Sequence, residues 1–324
     1  MRGVKMNKPL RTSSFALPCT CGHSHPSQRL GQGVAFNVSV ARPRSTLVDP
    51  TKTTQLRRRF EADFIRRFRK IIKHIKNEII ELDGFDLNGV TTNRRFDFPT
   101  DQAKVAGFMS WLQTEVDAEI FNGTLVSPRF VAAQNSWMNT YIQTAYRRGM
   151  ATSLAEVRKA GGKATATYVQ DAFLRPVHAD RAGIIYSRAY EGLANITTEM
   201  SKQVSEVLGQ GLLNGSNPEV LARQIVNRVE KISITRARML ARTEAIAAHA
   251  EAKLNVYEDA NIQGVGLMSE LLTAGDDLVC EECDAASAAG PYEVAAAHGL
   301  IPLHPNCRCT WIPVITSGKE ITLS

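Results

Sequence analysis

Residues 57–82 read RRRFEADFIRRFRKIIKHIKNEIIEL. Within this stretch Phe60, Phe64, Phe68, Ile71, Ile75, Ile79 and Leu82 recur three or four positions apart, which puts them on one face of an α-helix and leaves the other face crowded with Arg and Lys. The segment from Asp49-Pro50 to Gly84 is therefore read as one long amphipathic helix, with Gly84 as its stop. Such a stripe has to be buried against partners. The same spacing supplies them at about 101–121 (Val105, Phe108, Leu112, Val116, Ile120), about 128–159 (Trp137, Tyr141, Ala145) and about 179–208 (Ala189, Leu193, Ile196, Met200, Val204, Val207). Asn217 before Pro218 predicts an N-cap followed by an N1 proline, opening a short helix with Leu221, Ile225 and Val229; a last long helix is expected from Thr235 to Ala260.

After Gly264 the texture changes. Val265 to Met268 is strand-like, 274–300 is rich in Gly, Ala, Asp and Pro, and Cys309 to Ile315 alternates towards a terminal strand. The expected fold is mainly α: a long-helix N-terminal region followed by a small, loop-rich α+β module. The organisation predicted is an extended basic arm over 1–48, a helical domain over 49–178, a second domain over 179–316 and a short tail over 317–324.

At 324 residues with 44% hydrophobic and 22% charged residues, wholesale disorder and fibrous classes are excluded. No apolar run approaches the roughly 18 residues that cross a bilayer, so no membrane insertion is predicted, and the N-terminus lacks the apolar stretch of a signal peptide. The net charge of +7 is unevenly spread. Residues 1–76 hold 17 Lys and Arg against three acids, and the remainder is net acidic. Arg57, Arg58, Arg59, Arg66, Arg67, Arg69, Lys70 and Lys73 are the candidates for sequence-independent contact with the phosphates of double-stranded DNA. Phe60, Phe64 and Phe68 fall on the apolar face and are read as core.

The six cysteines form three close pairs. Cys280-Glu-Glu-Cys283 and His304-Pro-Asn-Cys307-Arg-Cys309 bring five soft or borderline donors into one short segment. A C-x-x-C turn can direct two thiolates at one ion, and a structural zinc would supply folding free energy that so small a module cannot draw from packing. Tetrahedral zinc needs four ligands, so one of His304, Cys307 and Cys309 would be spare; disulfides and free thiols are the alternatives. In the arm, Cys19, Cys21, His23 and His25 alternate as four further donors, on a stretch read as an extended arm. Arg242 and Glu244 are expected to form a buried or half-buried structural pair tying the last long helix to the thiol-rich module.

The order Ala241-Arg242-Thr243-Glu244, then Asp277 with Cys280 and Cys283, then His304-Pro305-x-Cys307-Arg308-Cys309 closely resembles the C-terminal signature of the phage Mu F-like head-morphogenesis proteins, minor capsid proteins of tailed bacteriophages. The resemblance covers roughly residues 180–316. Where that family often has tryptophan before the aspartate, this chain has Met268 or Leu271. The resemblance implies a non-enzymatic protein inside the procapsid and virion head, assembled in the bacterial host cytoplasm, associated with the portal protein and capsid interior, and acting in head assembly or DNA delivery. It also makes an acidic portal surface the alternative partner for the basic head. The competing class is a metal-dependent nuclease in which His304 activates water.

Overall fold

A computed structural model describes residues 49–88, 94–121, 136–159, 162–164, 171, 175–262, 266–315 and 321–323. The arm over 1–48, with Cys19, Cys21, His23, His25 and the expected short strand at 34–40, lies outside the described residues, as does the part of the third expected helix before residue 136. The described chain is mainly helical, with a small sheet near its C-terminus.

Helix α1 spans Thr54–Lys76 and runs on through a π-helical turn, Asn77–Glu81. Its start is held by Asp49, whose carboxylate accepts the backbone N–H of Thr54 at 2.7 Å and of Thr51 at 3.2 Å, satisfying donors that a helix N-terminus leaves orphaned. Phe60, Phe64, Phe68, Ile71 and Ile75 are fully or almost fully buried, as the spacing requires. Helix α2, Asp101–Glu119, is capped by the Thr100 hydroxyl, which accepts Ala103 N–H at 3.2 Å; α3 is Trp137–Lys159.

Helix α4, Pro176–Leu213, begins with proline in its first turn. It ends at Asn214, where Gly215 at φ +61° lets the chain reverse, and Asn217 then accepts Glu219 N–H at 2.8 Å ahead of α5, Pro218–Ile262. The two helices expected at 217 and 235 are thus one. The sequence between them, Val229 to Thr235, contains no glycine or proline, and burial of Ile232 and Ser233 carries the helix through.

Helix α5 is packed against α1, α3 and α4. From Glu244 to Ala250 every residue is buried, which explains an alanine-rich stretch of mixed character: small side chains let neighbouring helices approach on several sides. At Gly149 of α3 the approach is so close that an added Cβ would meet the His249 carbonyl oxygen at 2.3 Å.

The sheet has β2 (Leu267–Leu272) at its centre, antiparallel to β3 (Tyr292–Glu293) on one side and β4 (Thr310–Ile315) on the other, with Leu271 opposite Trp311. Leu267, Ser269 and Leu271 face inward. The segment read as loop-rich contains helix α6, Glu281–Ala289, and a single turn α7, Val294–Ala297. A separate two-stranded parallel pair joins β1 (Gly162–Ala164) to β5 (Ile321–Leu323). One apolar cluster runs from Leu56 in α1 to Trp311 in β4. No helix among the described residues is long and apolar enough to cross a membrane.

Candidate metal centre

Cys280 is the N-cap of α6, and its sulfur accepts the backbone N–H of Cys283 at 3.4 Å. This cap turns both side chains of the C-x-x-C towards the loop ahead of β4. There His304 Nε2 lies 3.2 Å from Cys280 Sγ and 3.2 Å from Cys283 Sγ, and Cys283 Sγ lies 3.9 Å from Cys307 Sγ. The five donors form two overlapping triads that share Cys283: Cys280, Cys283 and His304, and Cys283, Cys307 and Cys309. Cys283, Cys307 and Cys309 are buried, all four cysteines of this region are free thiols, and the cluster could hold a metal ion.

The donor chemistry fits a cation. His304 Nδ1 is 2.8 Å from the Pro305 carbonyl, which can only accept; the ring proton therefore sits on Nδ1 and the Nε2 lone pair faces the sulfurs. The thiols also perturb one another. A hydrogen bond from the Cys309 thiol brings Cys307 down to about 5 despite burial, whereas burial pushes Cys283 up to about 12. Cys309 is likewise pushed up, by donating to Cys307 and by burial, while the Cys283 backbone N–H holds Cys280 below the usual thiol range. Thiols this close cannot all ionise together unless a bound cation compensates their charge.

The three motifs converge here. The Thr243 hydroxyl of α5 accepts the Asn306 backbone N–H at 3.3 Å, inside the His304 to Cys309 loop. Arg308, between the two loop cysteines, gives a forked pair of hydrogen bonds to Asp276. Asp276 is thereby the aspartate that braces the loop, and Asp277 is exposed with no hydrogen bond or ion pair among the described residues. Spacing could not separate two adjacent aspartates; only the direction of the turn ahead of α6 does.

The expected pairing of Arg242 with Glu244 is not formed. Glu244 is buried and accepts from Arg188 of α4, at 3.0 Å from Nε and 2.7 Å from Nη2. Burial raises the Glu244 carboxyl above the usual range, and Arg188 offsets only part of that. Two positions apart on a helix, Arg242 and Glu244 point in different directions, and Glu244 finds its partner on another helix. Sequence reasoning missed Arg188, which carries no local signal.

Of the basic candidates on α1, Arg58, Arg59, Arg66, Arg69, Lys70 and Lys73 are exposed. Arg57 and Arg67 are engaged inside the molecule. Arg57 pairs with Asp49 at 3.2 Å, and Arg67 lies 4.3 Å over the Trp137 ring and donates to the Glu119 carbonyl at 2.7 Å.

Residues 202–312 match the family model described as Phage Mu protein F like protein. That stretch takes in the C-terminal part of α4, all of α5, the thiol cluster and most of the sheet. No curated protein and no solved structure matches the chain.

Proposed function

We propose, from the match of residues 202–312 to Phage Mu protein F like proteins, that this chain is a minor head protein of a tailed bacteriophage. It acts inside the procapsid at the portal vertex, in head assembly or DNA delivery, and remains in the virion head. The observation that carries the reading is the family match, which spans all three motifs; their convergence at one corner supports it. The thiol cluster is a structural zinc centre. Cys283, common to both triads, is the indispensable ligand, and Cys280, His304, Cys307 and Cys309 supply the other three. Zinc there would lock α6 and the loop before β4 into one docking surface.

The exposed face of α1, with Arg58, Arg59, Arg66, Arg69, Lys70 and Lys73, contacts packaged double-stranded DNA through phosphates. A role in docking rather than catalysis is favoured by a thiolate-rich donor set, which characterises structural zinc. Quantification in purified procapsids and virions tests the head assignment: a few copies per head are expected, and complete absence overturns it. Retention of the full chain on random duplex DNA should fall steeply with salt, and the Arg66→Gln/Arg69→Gln/Lys73→Gln variant should show a shallower salt slope. Salt-independent retention, or none, removes DNA as the partner. Nicking of supercoiled DNA that is lost in His304→Ala would replace the docking role with the nuclease.

A further inference from the structure

Beside the thiol cluster, α1, α5 and the loop after His304 enclose an open pocket of about 530 Å³. Five arginines line it: Arg57 and Arg58 from α1, Arg238 and Arg242 from α5, and Arg308 from the loop. Three of them are answered within the chain, Arg57 by Asp49, Arg238 by Glu61 and Arg308 by Asp276. Arg58 and Arg242 have no hydrogen-bond or ion-pair partner among the described residues, and the buried Nε of Arg242 makes no hydrogen bond. Arg242 is half-buried and sits in the field of Arg57 and Arg308, which together with burial makes its charged form less favourable.

We propose that this pocket is a phosphate-binding site, in which Arg242 and Arg58 grip the anion directly while Arg57, Arg238 and Arg308 hold the surrounding potential positive. A desolvated guanidinium nitrogen without an acceptor is costly, and an incoming anion supplies the acceptor that the chain withholds. The unanswered charge amounts to two guanidiniums. A phosphate group matches that with up to two negative charges and oxygens suited to forked arginine contacts, whereas a carboxylate would leave one guanidinium unmatched. Among the described residues no aromatic ring lines the pocket, and Met239 is the one large apolar side chain there. The site therefore offers a nucleobase no stacking face and selects for the phosphate itself. The source is either a free phosphate compound or the phosphodiester of a nucleic acid. The assignment does not rest on the head-protein reading, since its principal residue, Arg242, lies outside the basic face of α1.

The test uses the full chain and inorganic pyrophosphate, titrated calorimetrically at constant ionic strength against chloride. Saturable binding is expected for the unmodified protein, weakened about tenfold or more in Arg242→Gln and in Arg58→Gln. Arg242→Gln should melt no lower than the unmodified protein without ligand, because it removes an unpaired charge from beside two others. Arg58 is exposed, so its variant tests the site even if Arg242→Gln fails to fold. Displacement of a labelled random duplex by pyrophosphate assigns the phosphodiester as ligand; intact pyrophosphate binding without displacement assigns a free phosphate compound. Absence of saturable binding, or equal binding in both variants, overturns the proposal. So does a glutamate-rich peptide that binds more tightly than pyrophosphate and loses its affinity in Arg242→Gln.

Discussion

Arg188 of α4 and Glu244 of α5, 56 positions apart in the chain, form a forked ion pair whose carboxylate end is buried and whose guanidinium end reaches solvent. The pair joins two long helices, and on α5 it lies two positions from Arg242, which lines a basic pocket.

Removing the outer partner should therefore cost more than removing both. Arg188→Ala leaves a buried carboxylate unpaired and is expected to lower stability by about 2 kcal/mol, a value discounted for the solvent exposure of Arg188. Arg188→Ala combined with Glu244→Gln should recover part of it. Because the Glu244 pKa is raised on folding, the native state holds its proton to higher pH than the unfolded chain does. Stability from this group is then full below the ordinary glutamate range and is lost as pH rises through the native value. Denaturant midpoints measured from pH 4 to 7 in the unmodified protein and in Glu244→Gln isolate this contribution as their difference, which should move against the unmodified protein as pH rises; a difference that does not change with pH would contradict it.

Zinc content decides how the thiol cluster is built. One zinc per chain is expected by elemental analysis, with loss of metal and of protease resistance in Cys283→Ser, since both triads share that sulfur. Cys280→Ser, His304→Ala, Cys307→Ser and Cys309→Ser measured in parallel identify the spare donor as the variant that keeps its zinc. Full occupancy in Cys283→Ser would show that the cluster is not the zinc site.

Acid should loosen the centre of the bundle through His249. Its ring is fully buried with neither nitrogen hydrogen-bonded among the described residues, and burial together with nearby Lys253 drives its pKa down to about 3. The neutral ring is kept in the native state while the unfolded chain takes up a proton near pH 6.5, so stability present above that pH is lost as pH falls. The loss should reach roughly 3 kcal/mol by pH 4. In His249→Leu that part of the acid limb should vanish from the denaturation profile; an unchanged limb would mean the histidine is protonated or hydrated in the native state.

Gly149 has no room for a side chain. A methyl group there would press on the His249 carbonyl and on Ala252 Cβ at 2.9 Å, atoms of a helix backbone and its inner face that cannot swing aside. Gly149→Ala should cost roughly 2–3 kcal/mol in chemical denaturation despite its better helix propensity. A neutral or stabilising effect would mean that α3 and α5 can separate without penalty.

The helical stripes were legible because a three-to-four residue period follows from the geometry of the α-helix alone. Phe60, Phe64, Phe68, Ile71 and Ile75 are buried where that period puts them, and Asn217 with Pro218 opens α5 through local hydrogen bonding. Helix ends were less legible. The break read between 217 and 235 does not occur, because a weakly patterned stretch is carried by the helices packed around it, and α6 was hidden in a segment whose composition suggested loop.

By itself, then, the sequence determined the mainly helical class, the buried face of α1, the five Cys and His residues that gather in one cluster and the uneven charge, all of which depend on local period, composition or short spacing. Only the tertiary structure decided that Cys283 is shared by both triads, that Asp276 rather than Asp277 braces Arg308, that Arg188 answers Glu244, and that five arginines from three separate segments line one pocket. Those relationships join residues up to 251 positions apart, from Arg57 to Arg308, and are set by how α1, α5 and the last loop pack together. No local pattern encodes a packing direction; it emerges when several apolar faces are buried against one another at once.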